Sequence, residues 1–424
     1  MSHWLTQVLA RGSQQNQATS PWLETAREES LAALHQRDLP TRKTEDWRYL
    51  PLGILNRFEP ATADTGAYQA EPLPGLESLD LVFVNGVLLT ALESLGPLEP
   101  GLTITTLADA PEATGAAVYN QVKPQRHFFG LVNDLLASTG VVISVAEGCA
   151  IKTPIRLVHW QSGGEGHTRH LIHLAKNAEL CVIEQHQGSD SASLNTSFSE
   201  YQIDEGARLH QSRFALQTGN ALNFGGCHFN LSDNSQLHST LVGFGSQLAR
   251  LDTDINHTGQ HGHALQNAIY LLGEKELFDL HSNVEHANPN GTSEQNVRGI
   301  VGDKGKAVFN GRIHIHRYAQ KTLAELNNRN LLLTRNAEVY TKPELEIYAD
   351  DVRCAHGATV AELDSKALYY MQSRGISQAD ARIMLNFGFI NELIEQIDMA
   401  PVAEWLQAAL KDRISGLRHQ ASEE

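Results

Sequence analysis

Residues 306–316 read KAVFNGRIHIH, and the alternation within this stretch decides the architecture. Phe309, Gly311, Ile313 and Ile315 fall on one side, and Asn310, Arg312, His314 and His316 on the other. That is the period-two pattern of a strand with one buried face; a helix would scatter the same apolar positions around its circumference. The strand is introduced by Gly305-Lys-Ala-Val308, one instance of a recurring signature in which Gly or Asn is followed two or three residues later by an apolar strand-former. Gly148-Cys-Ala-Ile151, Asn177-Ala-Glu-Leu180, Gly206-Ala-Arg-Leu209, Asn234-Ser-Gln-Leu237 and Gly262-His-Ala-Leu265 follow one another at steps of 29, 29, 28 and 28 residues. Gly291 comes 29 later, and Asn336-Ala-Glu-Val339 repeats the pattern at altered spacing. Gly and Asn tolerate positive φ, so an even interval predicts the same tight corner in each repeat. Repeats of this length without helical periodicity predict a β-solenoid, whose coils stack to bury one continuous core. A conventional sandwich does not predict an even interval.

The flanks read differently. PWLETAREESLAALHQRDLP (residues 21–40) is rich in helix-forming Glu and Ala and stops at Pro40. LDLVFVNGVLL (79–89) is a short strand with Asn85-Gly86 placed for a hairpin turn. After residue 365 the alternation ends. Gly375 is placed to close one helix and Ser377, with Asp380 three residues on, to open the next. Ile383, Phe387, Ile390, Ile394 and Ile397 then recur at steps of four and three, forming one apolar stripe. A terminal helical domain has little core of its own, so part of this stripe is expected to be open to another protein. The expected organisation is therefore an N-terminal helical region over 1–75, a mixed connecting region over 76–140, the solenoid over 141–365 and a C-terminal helical domain over 366–424.

The chain has 424 residues with 33 Lys and Arg against 49 Asp and Glu, a net charge of −16. No basic tract interrupts that balance, which argues against a nucleic-acid partner. The start, MSHWLTQVLARGSQQNQ, lacks the pattern of an export signal, and the most apolar stretches fall short of the roughly 20 residues of a membrane span. The protein is expected to be cytoplasmic. Cys149, Cys181, Cys227 and Cys354 are scattered without a CxxC pair, which suggests neither a structural zinc site nor a disulfide framework. Histidine is abundant at 20 residues, grouped at His257/His261/His263, His281/His286 and His314/His316.

GIVGDKGKAVF (299–309) has the wrong spacing for a phosphate-binding loop and leads into a strand where a helix is needed. No nucleophile elbow occurs. DDVRCAHGATV (350–360) is the remaining constellation. In an extended chain Cys354 and His356 share a face roughly 7 Å apart. An iron–sulfur cluster needs about four protein ligands, chiefly thiolates. With no second cysteine nearby, these two residues could serve only a site completed by a partner. Glu344, Glu346 and Asp350 also alternate onto one face, which leaves a β-helix polysaccharide lyase or hydrolase as the rival reading.

Four stretches carry a resemblance: NAEVYTKPELEIYADDVRCAHGATVAELD (336–364), LYYMQSRGIS (368–377), LPTRKTEDWRYLPL (39–52) and GDKGKAVFNGRIHIH (302–316). They closely resemble the SufB/SufD family of the Suf iron–sulfur cluster assembly machine, and CAHGATV, where SufB chains carry an EHEAT-like motif, resembles the SufD branch. The resemblance implies a right-handed parallel β-helix flanked by helical domains, and a scaffold subunit rather than an enzyme. It implies two partners. One is SufB, a β-helix paralogue that forms the heterodimer; the other is SufC, an ABC-type ATPase that binds the ATP and docks on the C-terminal helical domain. In isolation the chain could pair with itself as a homodimer, though the sequence does not fix its oligomeric state without partners. A nascent iron–sulfur cluster, or iron, would be shared with SufB, with His356 as the metal ligand and Cys354 beside it. Within that frame the stripe Ile383, Phe387, Ile390 and Ile394 is the expected SufC contact, and the strand LEIYADDV (345–352), with Ile347 at a ladder position, the expected SufB contact.

Overall fold

A computed structural model describes residues 2–14, 21–64, 68–121 and 127–417. Among the described residues two long sheets, of ten and nine strands, run through the molecule. From Val141–Val145 and Ile155–Gln161 onward, successive strands alternate between the two sheets and end at Glu338–Ile347 and Arg353–Ala361. Each sheet contributes eight of these strands, so the chain winds through about eight coils of a parallel β-solenoid. The 76–140 region is built into this frame: Leu79–Val84 pairs in parallel with Ile155–Gln161, and Leu102–Thr106 pairs antiparallel with Val141–Val145. Asn85 and Gly86 adopt φ of 49° and 81° and turn the chain tightly into Val87–Leu88. Among the described residues no helix is long and apolar enough to cross a membrane.

The corners explain the repeat. Gly148, Asn177, Gly206, Asn234, His261, Asn290 and Lys321 all have φ between 56° and 70°. Each donates its N–H to a carbonyl of the next coil, for example Asn177 to Glu205 and Gly206 to Asp233, both at 2.9 Å. The left-handed residue is therefore one rung of a ladder that holds coil against coil. The expected corner is displaced or missing at four places: His261, Asn290 and Asp303, not Gly262, Gly291 and Gly305, take positive φ, and Asn336 does not. Gly262 and Gly291 serve a different need. A Cβ on Gly262 would lie 2.9 Å from Nδ1 of His257, and one on Gly291 would lie 2.7 Å from Nδ1 of His286.

Among the described residues four apolar clusters result, one inside the solenoid and three beneath the flanking helices. Inside the solenoid, Phe309, Ile313 and Ile315 stack with Leu280, Val284 and their counterparts in other coils, as the opening alternation requires. The N-terminal helices His3–Gln14 and Pro21–His35, with Phe128–Leu136, help cover the outer face of the nine-stranded sheet. There Phe129 stacks on Phe224 with centroids 3.5 Å apart, and the Arg250 guanidinium lies 3.8 Å from the centre of the Trp47 ring. The C-terminal helices Ser365–Ser373, Gln378–Ile394 and Ala400–Gly416 follow the last strand, and the last two cover the outer face of the ten-stranded sheet. Ser377 caps the second of these, accepting from the Asp380 N–H at 3.1 Å, and Gly375 precedes it with φ 87°.

The apolar stripe is spent largely on this last interface. Ile390 and Ile394 are fully buried against Phe214, Val242, Ile269 and Ile300 of the solenoid, and Ile383 and Phe387 are half-buried beside them. The expectation of an open stripe fails at Ile390 and Ile394 because the domain borrows its core from the sheet. Burying each such isoleucine is worth about 1.5–3 kcal/mol.

Candidate functional site at the open end of the solenoid

The two sheets end together. Glu338–Ile347 and Arg353–Ala361 are the edge strands of the last coil, and in a parallel solenoid in-register neighbours point the same way. Cys354 is in register with Ala324 and His356 with Leu326, both core residues. Ile347 is in register with Ile315, and Leu345 with Ile313. All four therefore occupy inward positions of a coil that no further coil covers. Ile347 and Val360 are accordingly 41% and 44% exposed, and His356 is open to solvent. Cys354 is half-buried, and burial pushes its thiol above the usual range, with a backbone hydrogen bond at Ala324 opposing the shift. The arrangement offers one imidazole and one thiol at the rim of an apolar surface. Among the described residues neither of the two groupings with metal-ligand geometry includes them.

The stretch 345–352 is less strand than its composition suggests. The strand ends at Ile347, and residues 348–352 turn the chain from one sheet to the other. Asp350 accepts from the Gln320 amide at 2.8 Å, and the Asp351 N–H donates to Gln320 Oε1 at 2.9 Å. Pro343 sits in the same edge strand, and proline, lacking an N–H, is at home only at sheet edges. The carboxylates of the rival reading are occupied in the same neighbourhood. Glu344 pairs with Lys342 at 2.7 Å, and Glu346 accepts from Arg312 at 2.8 Å.

On the C-terminal helices, exposed apolar side chains lie away from the stripe. Tyr369, Tyr370 and Met384 are 73%, 59% and 53% exposed, and the helix Ser365–Ser373 buries none of its residues.

Buried polar groupings escaped the sequence reading, and two of them adjoin where His186 lies 3.8 Å from Glu184. In the first, Glu184 lies inside the solenoid, accepting from Tyr201 Oη at 2.6 Å, Ser199 Oγ at 2.8 Å, Arg213 at 2.9 Å and Gln211 at 3.1 Å, with the Cys227 thiol at 3.3 Å. Burial alone would raise this carboxyl; Arg213 beside it, with His186 and Tyr201, holds it well below the usual range. Burial, then Glu184, pushes the Cys227 thiol well up. In the second, His159 stacks on His186 at 4.3 Å and meets His170 at 3.2 Å. Further along, His257 stacks on His286 at 4.2 Å. On the outer face, Glu285 gathers Arg312 at 2.7 Å, His316 at 2.8 Å and His314 at 3.0 Å.

Comparison with known proteins places this architecture. A family model described as "SUF system FeS cluster assembly, SufBD core domain" matches residues 159–389, and one described as "SufBD protein N-terminal region" matches 9–157. The chain is 32% identical over 407 residues to the iron-sulfur cluster assembly protein SufD of Escherichia coli K12, covering 92% of each chain. It is 27% identical over 399 residues to an iron-sulfur cluster assembly SufBD family protein of Synechocystis, covering 89% of this chain and 87% of that one. A SufBD family protein of Mycobacterium leprae is 28% identical over 287 residues, 65% of this chain and 72% of that one.

Proposed function

This chain belongs to the SufBD family of iron–sulfur cluster assembly proteins, and from that premise we propose that it is a non-catalytic, SufD-type scaffold subunit. In this reading it works in the cytoplasm with a SufB-type paralogue and a SufC-type ATPase, and the nascent cluster or iron is cargo held between the two solenoids. The observation that carries the proposal is the position of Cys354 and His356 on the uncovered inward face of the last coil. Two ligands fall short of the four or so that a cluster needs. A second chain seated on this end would bury Ile347 and Val360, extend both sheets and bring the missing ligands.

His356→Ala should leave folding and partner pairing intact and cut cluster loading, with Cys354→Ser having a milder effect. Ile347→Pro should instead break pairing, because it places a ring at the open end of the ladder. Anaerobic reconstitution on the purified complex, with iron and sulfide measured per complex, tests the first variant; size-exclusion chromatography of the mixed partners tests the second. Wild-type loading on His356→Ala would sink the ligand assignment, and an undiminished heterodimer from Ile347→Pro would sink the docking face.

For the ATPase we propose the C-terminal helical domain as the contact, with Tyr369, Tyr370 and Met384 joining the half-buried Ile383 and Phe387. Ile390 and Ile394 then act from beneath, by holding the helix on the solenoid. Tyr370→Asp should weaken ATPase binding by about 10–100-fold, the scale of an aromatic anchor, without lowering the melting temperature. Isothermal titration giving an unchanged dissociation constant would remove the contact from this helix.

A further inference from the structure

Residues 395–399, between the last two helices, lie across the outer face of the ten-stranded sheet and touch four of its strands. Gln396 accepts from the Asn267 amide at 2.9 Å. Asp398 Oδ2 lies 2.6 Å from Nδ1 of His210 and 3.1 Å from Nδ1 of His238. Met399 Sδ is 3.7 Å from Cys181 Sγ. The three solenoid residues form one column, since Cys181 is in register with His210 and His210 with His238. A parallel ladder stacks such residues about 4.8 Å apart, so the column presents a thiol and two imidazoles to a single acidic side chain from another element.

Within this column His210, His238 and Asp398 place one ligand atom each within 4.8 Å of one another. The two rings meet edge to face at 5.2 Å rather than stacking, and both Nδ1 atoms face Asp398 Oδ2. His210 Nδ1 is buried and makes no hydrogen bond despite its 2.6 Å approach to the carboxylate. His238 Nδ1 does hydrogen-bond to Asp398 Oδ2 at 3.1 Å, so one carboxylate oxygen is approached by both imidazoles and satisfies only one of them. Among the described residues the ion-pair partners of Asp398 are these two imidazoles alone, so no Lys or Arg neutralises it. The similar group at Glu285, His314 and His316 differs on this point: Arg312 already bridges Glu285 and Glu346 and would repel a cation.

We propose that His210, His238 and Asp398 form a binding site for a divalent first-row transition cation, which pins the C-terminal helices to the solenoid. Two imidazole nitrogens and a carboxylate suit Zn²⁺, Fe²⁺ or Co²⁺, whereas Mg²⁺ and Ca²⁺ prefer all-oxygen sites. This inference stands apart from the cluster site at Cys354 and His356 and does not rest on the proposed function.

The test uses the full chain, stripped with a chelator and titrated with Co²⁺ while the visible ligand-field absorption is followed. One equivalent should bind to the wild type and to the His314→Ala/His316→Ala double variant. Binding should be lost in His210→Ala/His238→Ala and weakened by about 10–100-fold in Asp398→Asn, with circular dichroism confirming that each variant is folded. Metal should also slow hydrogen exchange in the helix Ala400–Gly416 of the wild type and not of the His210→Ala/His238→Ala variant. Absorption that survives in His210→Ala/His238→Ala, or a wild type that binds less than one equivalent, overturns the site.

Discussion

Arg213→Met is expected to destabilise the protein by about 3–5 kcal/mol in urea unfolding, the cost of leaving a buried charge without its partner. Arg213 donates to Glu184 at 2.9 Å and to the Ser197 carbonyl at 2.9 Å, and both charged side chains are buried within the coils. Truncating the guanidinium removes the chief attraction that keeps the Glu184 carboxyl ionised. Either the carboxylate stays charged in an apolar interior, or it takes up a proton and the charge-assisted bonds it accepts from Tyr201 and Ser199 are weakened. The double variant Arg213→Met/Glu184→Gln tells a charge effect from a packing effect. The amide introduced by Glu184→Gln is neutral and can still accept from Tyr201, so the pair should be less destabilised than the sum of the two single variants by at least about 1 kcal/mol. Additive losses, or a cost for Arg213→Met alone under about 1 kcal/mol, would show that this network contributes only packing.

The solenoid was legible because its signals are local and repeated. A strand with one face in the core alternates, as 306–316 does, and a left-handed corner selects Gly or Asn often enough to leave a period. The signal blurred where another demand took the glycine: at 262 and 291 the small residue makes room for a stacked histidine, and the corner falls one residue earlier on His261 and Asn290. Alternation also loses meaning where both faces of a sheet are covered. Phe214 points outward, under Trp405 of the last helix, while Gln211 and Arg213 point inward. A reading that sends apolar residues in and polar ones out inverts such a strand, which is why the Glu184 network went unseen. The stripe from Ile383 to Ile394 was visible as periodicity, yet periodicity does not say whether its cover is a partner or the chain itself. Cys354 and His356 stand two apart in one motif, so their shared face could be read directly. Cys181, His210, His238 and Asp398 come from three strands and an interhelical segment, and only the register brings them together.

Acid should unfold this protein in a window set by histidine rather than by carboxylates. His159, His170, His186, His257 and His286 are all buried. Burial lowers the pKa of each, to about 3 for His170 and about 4 for His186 and His286. For His159 and His257 a stacked imidazole adds to the effect of burial. In the unfolded chain these groups titrate near pH 6.5. Between the two values the unfolded state binds more protons, so stability rises with pH there: it is complete above about pH 6.5 and is lost as pH falls toward 4. At pH 5 each of the three with folded values near 3–4 costs about 2 kcal/mol, roughly 6 kcal/mol together, a large part of an ordinary folding free energy. The buried carboxylates act lower. Glu184 and Asp252 are both held below the usual carboxylate range, Glu184 by Arg213 and Asp252 by Arg250, each against the opposing effect of burial. Their contributions therefore disappear mainly below about pH 4. Urea midpoints measured from pH 7.5 to 4.5 should fall steeply below about 6.5. His257→Phe keeps an aromatic ring stacked on His286 but removes one titrating group, and neither nitrogen of His257 makes a hydrogen bond that the change would break. Its stability should decline with a slope shallower by up to about 1.4 kcal/mol per pH unit in that window. A wild-type midpoint that is flat from about pH 6.5 to 5, or equal slopes in wild type and His257→Phe, would mean that the imidazoles become protonated without unfolding the coils.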